Sequence, residues 1–365
     1  MTDLLFNISS FLVIISLIVF IHEFGHYYVA IKSGVKVEVF SIGMGPEIIG
    51  WNDKRGTRWR ICPLPIGGYV KMFGDSNASS EPDQDILAGM NEDEKKQAFH
   101  TKSLVAKSMI VAAGPGANFL LAIFMLFVLF FCYGKGFTTT EITYIEPESI
   151  AQKSGIELGD IITKINDQKI DDFNQLREIV TVNAGHELNF TISRGGNEFD
   201  LTIIPELKER EDVFGNKIEV GSLGIASDKI ARKKMGLIES VAGGVSETYR
   251  LSFFMLKSVG QMIIGNVSTD NIGGPIKIAQ ISGSSVRQGF QNVLWFVAIL
   301  SINLGLINLF PIPVLDGGHL LFYLIEGFRG RPMAAKIQQI SFRIGMALIG
   351  SLMIFSVFND LRSLF

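Results

Sequence analysis

Long apolar runs alternate with polar stretches along this chain. The first apolar run extends from about Leu4 to Ala30 and the second from about Leu104 to Tyr133. A third covers about Val293–Leu309 and a fourth about Ile344–Phe358. The first two exceed the ~20 residues a helix needs to cross a ~30 Å hydrocarbon core. The last two are shorter and interrupted by polar residues. The N-terminal run lacks a basic flank and a small-residue cleavage site, so it reads as a retained span rather than a removed signal. Between the second and third runs the pattern shifts to short alternating stretches with turn signals. Pro147–Ile170 reads as a short helix closed at Gly155, a tight turn at Gly159-Asp160, a strand, and a turn at Asn166-Asp167. A helix over about Phe173–Val182 follows. Two strands near Glu187–Ser193 and Glu198–Ile204 are joined at Gly195-Gly196. From about Leu237 to Ile264, Val241, Val245, Tyr249, Phe253 and Leu256 recur at helical spacing. That stripe suits a helix lying on a membrane face or one turned into the core of the neighbouring domain.

Charge orients the spans. The segment between the first two runs carries Lys32, Lys36, Lys54, Arg55, Arg58, Arg60, Lys71, Lys95, Lys96, Lys102 and Lys107. The segment between the last two carries Arg329, Arg331, Lys336 and Arg343. Basic loops stay on the cytoplasmic side. Both termini and the region 134–291 are then expected outside. Of the 365 residues, 47% are hydrophobic, too many for a typical soluble enzyme, and the net charge of -3 gives no reason to expect a nucleic-acid partner. Cys62 and Cys132 fall on opposite sides in this topology, which forbids pairing them.

The chemistry sits where charge is costly. His22-Glu23-Phe24-Gly25-His26 lies within the first apolar run. Histidines four apart share one helix face and can reach one metal, with Glu23 beside them as a general base. A charged residue near the bilayer centre costs roughly 2.5–3.5 kcal/mol on insertion scales, so such residues in a span are a functional signal. Two histidines leave a catalytic zinc site one ligand short. His186 reads as a surface residue after Gly185, and His100 as a solvated loop residue. Asp316 is the stronger candidate. It lies in Asn308-Leu-Phe-Pro-Ile-Pro-Val-Leu-Asp316-Gly317-Gly318-His319, where two prolines break the helix and the freed backbone must line a cavity. Gly317 and Gly318 permit close backbone approach to a metal or substrate. Asp316 could also cap a helix starting at Gly317 and do both, but its coincidence with the first span favours ligation. His319 is expected beside the ligands rather than among them. Ala113-Gly114-Pro115-Gly116-Ala117-Asn118 offers small residues for packing on the metal-bearing helix, and Asn118 is a candidate neighbour of the site. A His/His/carboxylate set suits zinc and also non-haem iron, and Glu23 favours hydrolysis.

On these motifs, together with Pro65-Ile-Gly67-Gly68-Tyr69-Val70-Lys71, the chain resembles the site-2 protease family of intramembrane metalloproteases, in particular the regulator-of-sigma-E protease type. The stretch from Pro147 to Ile170 resembles a PDZ domain, present in one copy where the closest members of that type carry two. The resemblance implies a polytopic α-helical membrane protein with four transmembrane helices, a membrane-associated cytoplasmic β-loop and an inserted extracytoplasmic PDZ-like α+β domain. It divides the chain into a protease core over 1–133, a PDZ-like domain over 138–207, an extracytoplasmic linker over 208–290 and the rest of the core over 291–365. It implies Zn2+ on His22, His26 and Asp316, with Glu23 as the catalytic acid/base. It places Asn308 and the Gly67, Gly68, Tyr69, Val70 segment on the substrate. That segment also reads simply as a hairpin turn. The partners implied are the lipid bilayer, single-span membrane proteins and, at the PDZ-like domain, a peptide. The location implied is the bacterial inner membrane, with the active site in its cytoplasmic half. A membrane scaffold and a metal transporter are the competing classes. Glu23 argues against the first, and a single compact polar cluster against the second.

Overall fold

The computed structural model describes residues 2–76, 84–211, 217–265, 273–331 and 333–362. In chain order it runs α1 (Thr2–Lys32), β1 (Val37–Met44), β2 (Ile49–Asn52), β3 (Arg58–Ile61), β4 (Leu64–Met72), α2 (Gln84–Gly89), α3 (Glu92–Lys95) and α4 (Leu104–Tyr133). Then come β5 (Lys135–Thr138), β6 (Tyr144–Ile145), α5 (Ile150–Lys153), β7 (Ile161–Ile165), β8 (Gln168–Lys169), α6 (Phe173–Val182), β9 (Leu188–Arg194), β10 (Asn197–Ile203), β11 (Glu206–Glu211), β12 (Lys217–Ser222), β13 (Ile225–Ala226) and β14 (Ile230–Lys233). The chain closes with α7 (Leu237–Ile264), α8 (Pro275–Arg287), α9 (Phe290–Leu309), α10 (Asp316–Arg329) and α11 (Ala335–Arg362). Two compact units result: a membrane unit of Met1–Leu129, Ile238–Met255 and Thr269–Phe365, and an inserted unit of Phe130–Leu237 and Leu256–Ser268.

In the membrane unit, α1, α4, α9 and α11 are each long and apolar enough to cross a bilayer. The fourth is nearly twice as long as its apolar stretch predicts, because residues 335–343, with Lys336, Gln338, Gln339 and Arg343 among them, continue the same helix. Asp3 in the first turn of α1 and Lys32 in its last complement the helix dipole. A four-stranded sheet of order β2-β3-β1-β4 packs on α1. Tyr27 and Ala30 of α1, Phe40 of β1, Val70 and Met72 of β4, Phe99 and Ile110 form their shared core. A second cluster joins Ile14 and Ile18 of α1 to Leu121 of α4 and to Phe296 and Val297 of α9.

Helix α8 is among the elements that went unread in the sequence. Helix α8 lies along α1: a Cβ at Gly283 would strike Asn7, and Arg287 reaches Asp3 at 2.9 Å. Its first turn is capped by Asp360 of α11, which accepts from the backbone of Gly274 (2.7 Å), Ile276 (2.8 Å) and Lys277 (3.1 Å). Helix α10 starts at Asp316, one residue before the helix start at Gly317 that the sequence offers. Helix α7 agrees in extent with its sequence pattern. Within the membrane unit it buries Ser240, Gly244 and Thr248, with Gly244 against the backbone of Ile123 in α4. Its apolar stripe of Val241, Val245, Tyr249 and Phe253 is exposed. A core-facing orientation of that stripe is thereby corrected, since small residues let the backbones approach on the opposite side.

The inserted unit is a small α+β body around Ile142, Ile162, Ile165, Leu176, Phe190, Ile192 and Ile203. Its four-stranded sheet has the order β10-β9-β7-β8. Both expected hairpins are present. Asn166-Asp167 and Gly195-Gly196 each supply two consecutive positive φ angles, the requirement of the type I′ turn whose twist matches that of the strands. Ser149 caps α5 and Asp172 caps α6. Asp160 is fully buried. It accepts from Arg194 Nε (2.7 Å) and Nη2 (2.8 Å) and from the Glu157 amide (2.9 Å). Burial pushes its carboxyl up, but these donors outweigh burial and hold it below the usual carboxylate range.

Candidate metal centre

His22 and His26 project from one face of α1 and are both buried. Their Nε2 atoms lie 3.2 Å apart. Asp316 meets them from α10, with Oδ2 3.2 Å from His22 Nε2 and Oδ1 3.5 Å from His26 Nε2. Among the described residues these three form the one group of His, Cys, Asp or Glu side chains able to hold a metal.

The donor spacing decides what the cluster can do. Ligands around a tetrahedral zinc, with bonds of about 2.0–2.1 Å, sit roughly 3.3 Å from one another. The His26 Nδ1 lies 2.9 Å from the carbonyl oxygen of Ile110 in α4. A carbonyl only accepts, so Nδ1 carries the hydrogen, and in the neutral ring Nε2 presents a lone pair. Asp316 Oδ2 is buried with no hydrogen-bond partner. The His26 lone pair and the Asp316 carboxylate oxygens converge at this distance and repel one another, and a cation between them relieves both. The residues present therefore fit a zinc ion.

Local structure explains the placement. Leu315 is the N-cap residue of α10 and makes no side-chain cap; Asp316 is the first helical residue and is turned to the histidines. The capping alternative is thereby corrected. So is the expected role of Gly317 and Gly318. A Cβ at Gly317 would strike the Leu309 and Phe310 carbonyls, and one at Gly318 the Ile312 carbonyl. The close approach they allow is to the chain's own Leu309–Pro313 turn, which seats Asp316.

The histidines need room as well. A Cβ at Gly114 would collide with the His26 and His22 rings, and one at Gly25 with the Ala113 carbonyl. Gly25, Ala113, Gly114 and Ala117 thus set the approach of α1 to α4.

A cavity of about 410 Å³ opens on the cluster. Glu23, Asn308, Gly67, Gly68, Tyr69, Val70 and His319 line it with the three ligand candidates. Gly68 faces Glu23 so closely that a Cβ there would lie 2.9 Å from the Glu23 Cγ. The segment Gly67–Val70 belongs to β4, an edge strand of the sheet rather than a turn. It pairs on one side with β1, Gly68 opposite Ile42 and Tyr69 opposite Ser41.

The remaining histidines divide. His186 is exposed, as expected. His100 is not solvated: it is half-buried and its Nε2 lies 2.8 Å from Oδ1 of the buried Asp75. That pair joins residues 25 apart, a separation with no local sequence signal. Sequence reasoning also missed the Ile110 carbonyl, since any residue supplies one.

The model of peptidase family M50 matches residues 10–352 of the chain. A protein of Rhizobium meliloti, provisionally named a zinc metalloprotease, is 41% identical over 100% of this chain and 98% of its own length. One of Agrobacterium fabrum with the same kind of name is 41% identical over 98% of this chain and 96% of its own. The metalloprotease MmpA of Caulobacter vibrioides is 34% identical over 99% and 97%. Two histidines of a membrane-length helix and an aspartate of α10 form a cluster suited to a membrane-embedded zinc peptidase. The chain belongs to peptidase family M50, the site-2 protease family, and is an intramembrane zinc metalloprotease.

Proposed function

We propose that the chain hydrolyses peptide bonds within the membrane spans of single-span proteins, in the manner of the regulator-of-sigma-E type. The observation that carries this reading is the edge of β4 that no described strand pairs, beside the His22–His26–Asp316 cluster and in one cavity with Glu23. A helical span shields its carbonyls in its own hydrogen bonds and must be unwound before attack. An edge strand supplies the main-chain partners that replace those bonds. Gly67–Val70 binds the extended substrate, and Asn308 orients the scissile carbonyl. Zinc, when bound by His22, His26 and Asp316, polarises that carbonyl and lowers the pKa of the attacking water. Glu23 accepts the proton from this water and passes it to the departing nitrogen.

In this reading the basic segments face the cytoplasm, and both termini and the inserted unit face outward from the bacterial inner membrane. The active site then lies in the cytoplasmic half of the bilayer. The inserted unit is PDZ-like and acts as a steric filter, admitting substrates whose outer portion a first cut has trimmed. Anti-sigma factor tails and remnant signal peptides are the substrate classes. Deleting 138–205 tests the filter: an unchanged preference for trimmed substrate removes it. The chemistry is tested by incubating a detergent-solubilised single-span substrate with wild type and Glu23→Gln, zinc being quantified in both. The expected result is a ~10²–10⁴-fold loss of cleavage with zinc retained. Equal cleavage by both proteins refutes the role of Glu23.

A further inference from the structure

The helix that faces the metal centre carries its own device for orienting the ligands. Along α4, Ile110, Gly114 and Asn118 recur every four residues and so share one face. On α1, His26 and His22 are also four apart. The Ile110 carbonyl meets His26 Nδ1 at 2.9 Å, Gly114 leaves space for both rings, and the Asn118 amide nitrogen lies 3.1 Å from His22 Nδ1. Asn118 is fully buried, and its Oδ1 has no hydrogen-bond partner. Its backbone carbonyl accepts from Ser301 Oγ of α9 at 2.8 Å.

An amide facing an imidazole nitrogen can be turned either way, and oxygen and nitrogen exchange places when it is. With Nδ2 toward the ring, the amide donates to Nδ1. The hydrogen of the neutral ring is then forced onto Nε2, the atom that faces Asp316 and His26. With Oδ1 toward the ring, the orphaned buried oxygen accepts from Nδ1–H, and Nε2 is freed as a donor of electrons. The second arrangement satisfies Oδ1 and gives His22 the same tautomer that the Ile110 carbonyl imposes on His26.

We infer that Asn118 is a positioning residue for the metal site, its Oδ1 accepting from His22 Nδ1–H and thereby holding the Nε2 lone pair toward the metal. The inference rests on the reading of His22, His26 and Asp316 as the zinc ligands. It assigns α4 a chemical part beyond packing: a backbone carbonyl for one histidine and a side-chain carbonyl for the other.

The test compares zinc affinity, by chelator competition on full-length protein in detergent, for wild type, Asn118→Leu, Asn118→Asp and His26→Ala. Leucine keeps the volume and removes the acceptor; aspartate keeps the acceptor and removes the donor. Affinity is expected to fall roughly 10–100-fold in Asn118→Leu, the usual cost of losing a partner that orients a metal-bound histidine. Asn118→Asp is expected to stay within about threefold of wild type or to bind more tightly, as carboxylate–histidine–zinc arrangements do. Melting of the metal-free proteins controls for misfolding, and the Asp variant shows whether the acceptor alone restores binding. If Asn118→Asp loses as much affinity as Asn118→Leu, or Asn118→Leu loses none, the inference is overturned. Should His26→Ala bind zinc like wild type, the ligand assignment itself fails, an outcome separate from the other two.

Discussion

The two units of this chain differ in how far they expose apolar side chains. In the inserted unit, Ile162, Phe190 and Ile192 are wholly enclosed, as in a water-soluble domain. In the membrane unit, Leu5, Phe124 and Ile354 are more than half exposed, while His22, His26 and Asn118 are buried. The difference follows from the solvent. Around the inserted unit, water drives apolar side chains inward. Around the spans, lipid is as apolar as leucine, so helices associate through close backbone approach and polar contacts instead. A catalytic polar cluster is thus compatible with the membrane unit's packing.

The largest expected effect breaks the enclosed core. Phe190→Ala removes a ring that is 0% exposed. The cavity left behind is expected to cost about 3–5 kcal/mol and to unfold much of the inserted unit. Rapid hydrogen exchange across β7 and β9, with zinc still bound by the membrane unit, is the expected signature. Protected amides in those strands would show that the unit draws its stability elsewhere.

Next comes the close approach on which the membrane unit depends. Gly114→Val places branched carbons where the His22 and His26 rings lie. Zinc affinity is expected to fall by about 100-fold or more, since both ligands are displaced from their orienting partners. Zinc competition on the detergent-solubilised variant measures it. Unchanged affinity would mean that α1 and α4 can separate without cost.

Chemistry out of place in its surroundings governs how much was legible in the sequence. His22 and His26 were readable because their spacing and their apolar surroundings conflict. Asp316 was readable because Pro311 and Pro313 announce a broken helix, yet the part played by Gly317 and Gly318 was not. Nothing in a pair of glycines says whether the backbone approaches a ligand or its own preceding turn. The type I′ turns at Asn166-Asp167 and Gly195-Gly196 were legible because their conformations are restricted to few residue types. Helix α8 was not, since its burial against α1 depends on Gly283 and Asn7, residues without helical periodicity. The Asp75–His100 pair and the Ser301–Asn118 bond lie between distant segments and become visible only in three dimensions.

A smaller effect separates the units by pH. Asp160→Asn removes the charge that Arg194 holds in the inserted unit. The loss is expected to be about 2 kcal/mol near neutral pH, less than for a fully buried pair because solvent screens the Arg194 side chain. Asp160 has a depressed folded pKa. Its contribution is therefore complete well above the unfolded value of about 3.9 and is lost as pH falls through the folded value. The gap in hydrogen-exchange protection between wild type and variant should close on acidification. A gap that persisted or widened in acid would reverse the sign and exclude this pair as its source.

The smallest effect is the counterpart of the largest. Phe124 is 55% exposed on α4, within a span, where lipid or detergent chains occupy the space beside it. Phe124→Ala leaves no sealed cavity, because those chains fill the vacated volume as they would fill any other groove. The apolar surface lost was never withdrawn from water by folding, so there is little transfer energy to forfeit. The expected change is within about 1 kcal/mol, against several for the same truncation at Phe190. Thermal unfolding of both variants in one detergent provides the comparison. If Phe124→Ala destabilised the membrane unit as strongly as Phe190→Ala does the inserted unit, that face of α4 would have to pack against protein, and the lipid account of the exposed apolar residues would fail at that helix.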